Sequence, residues 1–132
     1  MKAITIQSDK SLLWTDVPDP KIGDGDVLIK VEYAAVNRAD LMQVDGCYPP
    51  PAGCPDYPGL EVSGTIAATG KDAKKFKVGD KVCALLGGGG YAEYVTVNEI
   101  MVMPVPKGVS MREAAAKNPL ASVRPHKAKT EE

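Results

Sequence analysis

Between Asn37 and Gly64 the chain reads NRADLMQVDGCYPPPAGCPDYPGLEVSG, and three kinds of chemistry-bearing side chain fall within it: an amide, two tyrosines and a carboxylate. Asn37 precedes an apolar-periodic run and suits a helix cap, whose side chain accepts a hydrogen bond from a free backbone N–H. A cap at the mouth of a loop also presents its amide to a ligand, and the two uses are compatible if Asp40 shares the capping. Tyr48 stands either as an amphipathic ring packed on the proline loop or as a phenol lining a flat aromatic substrate. Glu61 opens a strand among small apolar residues, so its carboxylate is either exposed or buried with a partner such as Arg38. A raised pKa would make it an acid–base group.

Other constellations fail on spacing. Cys47, Cys54 and Cys83 form an odd set without CxxC spacing, and the single histidine, His126, lies in a polar stretch near the end. Neither a zinc site nor a Ser/His/Asp or Cys/His nucleophile can be assembled from them. The odd cysteine count points to buried thiols in a reducing cytoplasm. The run Gly87–Gly90 is no P-loop, because no Gly-Lys-Ser/Thr follows, and it opens no helix as a dinucleotide fingerprint would. It is either a loop whose backbone comes close to a ligand or neighbouring domain, or a flexible hairpin connection.

The elements that would hold these groups are short. Alternation marks strands over Met1–Gln7, Leu12–Val17 and, most clearly, Asp26–Ala34, where Val27, Ile29, Val31 and Tyr33 share an apolar face. Arg38–Val44 reads as two helical turns behind Asn37, stopped at Gly46. Pro49–Pro51 and Pro55 stiffen the next loop. Strands follow over Leu60–Thr69, Val82–Leu86 and Tyr91–Val97, with an extended segment over Ile100–Pro106. Ser110-Met111-Arg112-Glu113 is a capping box that starts a second helix. The sum is a mainly β, barrel-like domain with one or two short helices.

Length and charge narrow the function. At 132 residues with net charge −1, the chain suits one domain and offers no basic patch for nucleic acid before its last ten residues. No apolar run approaches the roughly 18 residues that cross a membrane. The start lacks the pattern of a signal peptide, which again points to the cytoplasm.

Taken together, Asn37-Arg38-Ala39-Asp40-Leu41-Met42-Gln43, Gly46, Tyr48, Pro49–Pro51 and Gly59-Leu60-Glu61-Val62-Ser63-Gly64 strongly resemble the zinc-free quinone oxidoreductases of the medium-chain dehydrogenase/reductase superfamily. Val78-Gly79-Asp80-Lys81-Val82, Ala84-Leu85-Leu86 and Gly88-Gly89-Gly90-Tyr91-Ala92-Glu93-Tyr94-Val95 extend the likeness, which runs from about residue 1 to Ala116. The resemblance implies a GroES-like fold, a partly open β-barrel. It implies no metal: zinc-dependent members carry Cys where this chain has Asn37 and His where it has Leu60.

By the same likeness, Asn37 bonds the nicotinamide end of NADPH and Tyr48 lines the quinone cleft. These two are the expected catalytic residues. Asn37, Arg38, Asp40 and Glu61 form the expected cofactor wall. Family members continue into a Rossmann domain, whereas here the likeness stops at Ala116 and no GxGxxG-type motif occurs. The expectation is therefore a GroES-like domain over 1–116, a polar disordered tail over 117–132 and no Rossmann domain. Such a chain is the catalytic-domain portion of an NADPH-dependent quinone or enone reductase, inactive alone because the pyrophosphate has no helix N-terminus to rest on. The alternative is an orphan or truncated module that binds or self-associates without turnover, since bare apolar surface favours a homo-oligomer.

Overall fold

The two-residue side-chain period of a strand puts Val27 and Ile29 on the inner face of the nine-residue strand over Asp26–Ala34, and both are fully buried. The structure is a computed structural model that describes residues 1–46, 55 and 57–116. Its elements are β1 (Lys2–Ile6), β2 (Leu12–Asp16), β3 (Asp26–Ala34), α1 (Arg38–Val44), β4 (Glu61–Thr69), β5 (Lys81–Leu85), β6 (Tyr94–Asn98), β7 (Val102–Pro104) and α2 (Met111–Ala116), with a 3-10 turn over Glu99–Met101. Tyr48, Cys47, Cys54, His126 and the tail over 117–132 lie outside the described residues.

Five strands form an antiparallel sheet in the order β6-β3-β4-β5-β7, and β1 pairs with β2 in a separate hairpin. The sheet is not closed, so the expected mainly β, partly open architecture is borne out. Val27, Ile29, Val62, Ile66, Val82 and Val102 build its core. The charged connector after β4 is anchored there too, because Ala73 and Phe76 are buried while the lysines around them face solvent.

Three details differ from the sequence reading for physical reasons. The pairing of β3 with β4 shifts register between Val31 and Tyr33. A one-residue slip reverses the faces, so Tyr33 is exposed and Ala34 packs against the core in its place. Tyr91 and Ala92 do not continue β6, and Glu93 does so only through its carbonyl, which accepts from Val31 N–H at 2.9 Å. All three meet β1, through an Ala3–Ala92 bridge, a bond from Ile4 N–H to the Tyr91 carbonyl at 2.8 Å and one from Glu93 N–H to the Lys2 carbonyl at 3.0 Å. The 3-10 turn forms because Asn98 caps it, its Oδ1 accepting from Ile100 N–H at 3.1 Å.

Candidate functional site

The β3–β4 pairing carries both ends of the wall to one place. Just beyond β3, Ala35 N–H donates to the Glu61 carbonyl at 3.0 Å, so Asn37 leaves the sheet beside the start of β4. Asn37 is half-buried, with extended backbone at φ −124° and ψ 156°, and its amide nitrogen is buried. The Asn37 backbone N–H donates to Asp40 Oδ2 at 2.8 Å, the carboxylate half of a capping box.

Asp40 is 3% exposed and gathers further donors. The Tyr91 phenol donates to the same Oδ2 at 2.6 Å, and Gly59 N–H donates to Oδ1 at 3.3 Å. The phenol oxygen also lies 3.2 Å from the Ala35 carbonyl. A buried carboxylate is tolerable when donors surround it. Burial first, then the bond and charge of Asp40, push the Tyr91 phenol far above its ordinary range.

The glycine run is placed by the same contacts. Gly89 N–H donates to the Tyr57 carbonyl at 2.8 Å, Gly90 N–H to that of Gly59 at 3.0 Å and Tyr91 N–H to that of Pro58 at 3.0 Å. Gly59 sits at φ +115°, and a Cβ there would lie 2.4 Å from Tyr91 N and 2.5 Å from Gly90 Cα. Gly59 must therefore lack a Cβ, and so must Gly90, where a Cβ would lie 2.9 Å from the Gly59 carbonyl oxygen. Gly89 and Gly90 make a close approach to the chain's own Tyr57–Gly59 segment, so this end of the run is docked and is no slack hairpin.

Glu61 is fully buried at the start of β4, opposite Leu85. Arg38 is exposed and takes part in none of the ion pairs found among the described residues, so the Arg38–Glu61 pairing expected for a buried carboxylate does not form. Glu61 makes itself felt on Cys83: burial, and then the Glu61 charge, push that thiol up to about 11. Ser63, buried on the same face, donates its hydroxyl to the Met111 carbonyl and so moors α2 behind the wall.

The structure thus joins Asn37 and Asp40 directly, sets Glu61 beside them through Ala35, and leaves Arg38 at the surface. Sequence reasoning missed Tyr91 and Ser63 as parts of this arrangement. Tyr91 stood within a quoted motif, but nothing local to it indicated a partner 51 residues away. Around the wall, Val36, Leu41 and Met42 stay exposed. A separate open groove of about 450 Å³ is lined by Tyr57, Lys21, Asp26 and Asn98 among others, and none of the expected site residues among the described residues lines it. Among the described residues no three His, Cys, Asp or Glu side chains gather closely enough to hold a metal ion.

The sequence profile of the alcohol dehydrogenase GroES-like domain matches residues 23–107. A quinone-oxidoreductase, QR1, from Triphysaria versicolor chloroplasts is 39% identical over 91% of this chain and 38% of its own length. An acryloyl-coenzyme A reductase from Sulfurisphaera tokodaii is 43% identical over 75% of this chain and 30% of its own. The quinone oxidoreductase of Thermus thermophilus, solved also in complex with NADPH, superposes with a TM-score of 0.70 at 33% identity, covering 88% of this chain and 36% of that one. The chain therefore spans between 30% and 38% of the length of these relatives. On fold and profile together, it belongs to the alcohol dehydrogenase GroES-like domain family of the medium-chain dehydrogenase/reductase superfamily.

Proposed function

We propose that this chain supplies the substrate-facing wall of a reductase that passes hydride from NADPH to a quinone or enone. The observation that carries the reading is the prearranged corner at Asn37. Asn37 is half-buried, its backbone N–H is held by a buried, triply bonded Asp40, and exposed Val36, Leu41 and Met42 flank it. A polar centre with an apolar rim suits a flat acceptor with a carbonyl. The names of the relatives, a quinone oxidoreductase and an acryloyl-coenzyme A reductase, both concern conjugated carbonyl acceptors of that kind. In this reading Asn37 meets the nicotinamide, Tyr48 lines the acceptor cleft, and Asp40 and Glu61 fix the wall from behind. Arg38, at the surface, is left to meet the cofactor's outer part. No zinc enters, since Asn37 and Leu60 replace the sulfur and imidazole a metal would need.

The described residues do not fit the pyrophosphate of the same cofactor. Gly87–Gly90 leads toward β6 and not into a helix, and its last two residues are bonded to Tyr57 and Gly59. Phosphates rest on free amides at a helix start, so this chain contributes one side of the cleft. Hydride chemistry belongs to the cofactor, and the protein's part is to orient it and exclude water.

The test compares the chain alone with a fusion that joins residues 1–116 to the cofactor-binding portion of the Thermus relative. NADPH fluorescence and quinone-dependent NADPH oxidation are followed in both. The chain alone should show neither micromolar binding nor turnover. The fusion should show both, and Asn37→Ala should lower its kcat/KM by about tenfold or more, as for a lost positioning contact. A folded fusion that binds NADPH yet reduces no quinone or enone would falsify the assignment.

A second reading, a module that self-associates without turnover, draws on Leu12, Leu13 and Trp14 of β2, each at least half exposed. Sedimentation of the chain across a concentration series separates the two.

A further inference from the structure

We propose that Tyr91 is a positioning residue for Asn37, and that its phenol makes the glycine loop and the Asn37 corner a single mechanical unit. Three separate segments meet on this one residue: β1, the stretch over 35–40 and the Pro58–Gly59 turn. Its N–H donates to the Pro58 carbonyl at 3.0 Å, and its carbonyl accepts from Ile4 N–H at 2.8 Å. The backbone is thus clamped from both sides, and the ring has little freedom to swing. The hydroxyl then reaches Asp40 Oδ2 at 2.6 Å and lies 3.2 Å from the Ala35 carbonyl.

The shared oxygen gives the arrangement its consequence. Asp40 Oδ2 accepts from both the Tyr91 hydroxyl and the Asn37 N–H, at 2.6 and 2.8 Å. The other oxygen accepts from Gly59 N–H, whose residue is packed against Gly90 at backbone contact distance. Two donors on one oxygen fix the carboxylate's rotation about its own bond. Remove the phenol and the carboxylate, at 3% exposure, loses its shortest partner in a place that solvent scarcely reaches. It can then turn, and the Asn37 and Gly59 amides lose their fixed acceptor together. A buried network of this kind holds more than its pairwise sum suggests, because each bond orients the next.

The functional part of this inference rests on the reading of Asn37 as the residue that meets the nicotinamide. The structural part does not, and the experiment keeps them apart. In the 132-residue chain, NMR should show a slowly exchanging Tyr91 hydroxyl proton with a cross-relaxation peak to the Asn37 amide proton, since both point at one oxygen. Tyr91→Phe, which removes a single oxygen, should speed exchange at the Asn37 and Gly59 amides by about tenfold while the Ile29 and Ile66 amides change far less. Absence of the hydroxyl-to-amide peak overturns the proposal even if the variant does not fold. So does a variant in which all four amides speed up together, which is loss of global stability alone.

In the fusion enzyme, Tyr91→Phe should lower kcat/KM by about tenfold and should cost nothing further in an Asn37→Ala background, as expected for a residue that acts through another. Additive losses in the double variant overturn the positioning role. A fusion that never turns over quinone defeats the reductase reading and leaves the NMR result to decide the role of Tyr91.

Discussion

Cys83 lies under the wall without taking part in it, and its surroundings translate into a pH effect of definite sign. Its thiol is fully buried across from Ser63 and is pushed from 9.0 up to about 11, by burial and then by the Glu61 charge. A group whose folded pKa exceeds its unfolded value keeps its contribution below the unfolded pKa and loses it as pH rises through the folded one. Stability should therefore fall between about pH 9 and 11, where the unfolded chain ionises the thiol and the folded chain resists. Tyr91 acts in the same direction at still higher pH, so the comparison must be internal. Urea midpoints of wild type and Cys83→Ala, measured from pH 8 to 10.5, should converge as pH rises. A gap that stays constant over that range would show that the thiol does not titrate as its burial demands. The same burial predicts that Cys83 resists alkylation until the chain unfolds.

At the scale of elements, local rules and long-range contacts divide cleanly. The bounds of β3 and α1 fall where alternation and the Asn37–Asp40 capping pattern place them, because both depend on residues within one or two turns of each other. The second helix starts at its capping box for the same reason: Glu113 N–H donates to Ser110 Oγ at 3.1 Å and Ser110 N–H donates back to Glu113 at 3.3 Å. What was illegible depends on partners far along the chain. The bulge that turns Tyr33 outward is set by pairing with β4. The diversion of Tyr91–Glu93 to β1 is set by residues about 90 positions earlier. Within the site, the amide and the capping carboxylate could be read locally, whereas the burial of Glu61 and the phenol on Asp40 could not. The glycine run is the clearest case. Composition announced a close approach, and only the fold shows that its object is Gly59. That contact predicts a severe effect for Gly59→Ala. The substitution must place a Cβ 2.4 Å from Tyr91 N and hold a side chain at φ +115°. A cost above about 3 kcal/mol is expected, from backbone strain and displacement of the docked loop together. Denaturant titration checks it, and a loss below about 1 kcal/mol would mean that the loop yields easily.

For the molecule as a whole, the family profile covers residues 23–107 and so leaves out the β1–β2 hairpin. The structure gives that hairpin a stake in the site all the same. Ala3 is fully buried and bridges Ala92. Ile4 N–H donates to the Tyr91 carbonyl at 2.8 Å, Glu93 N–H donates to the Lys2 carbonyl at 3.0 Å, and Lys2 N–H donates to Glu93 Oε1 at 2.6 Å. These bonds secure the residues on either side of the phenol that holds Asp40. A chain beginning at Pro18 keeps every residue of the five-stranded sheet, so loss of core packing alone would leave it nearly as stable as the full chain. The bonding pattern predicts otherwise. Three hydrogen bonds at about 1 kcal/mol each, with the burial of Ala3 added, amount to a loss of about 3 kcal/mol or more. The damage should also be directional. Amide exchange should quicken most at residues 90–93, then at Gly59 and Asn37, and least at Ile29 and Ile66 in the middle of the sheet. Equal denaturation midpoints for the two chains, or exchange that quickens uniformly, would mean that the hairpin is an appendage and that the Asn37 corner is held by the sheet alone.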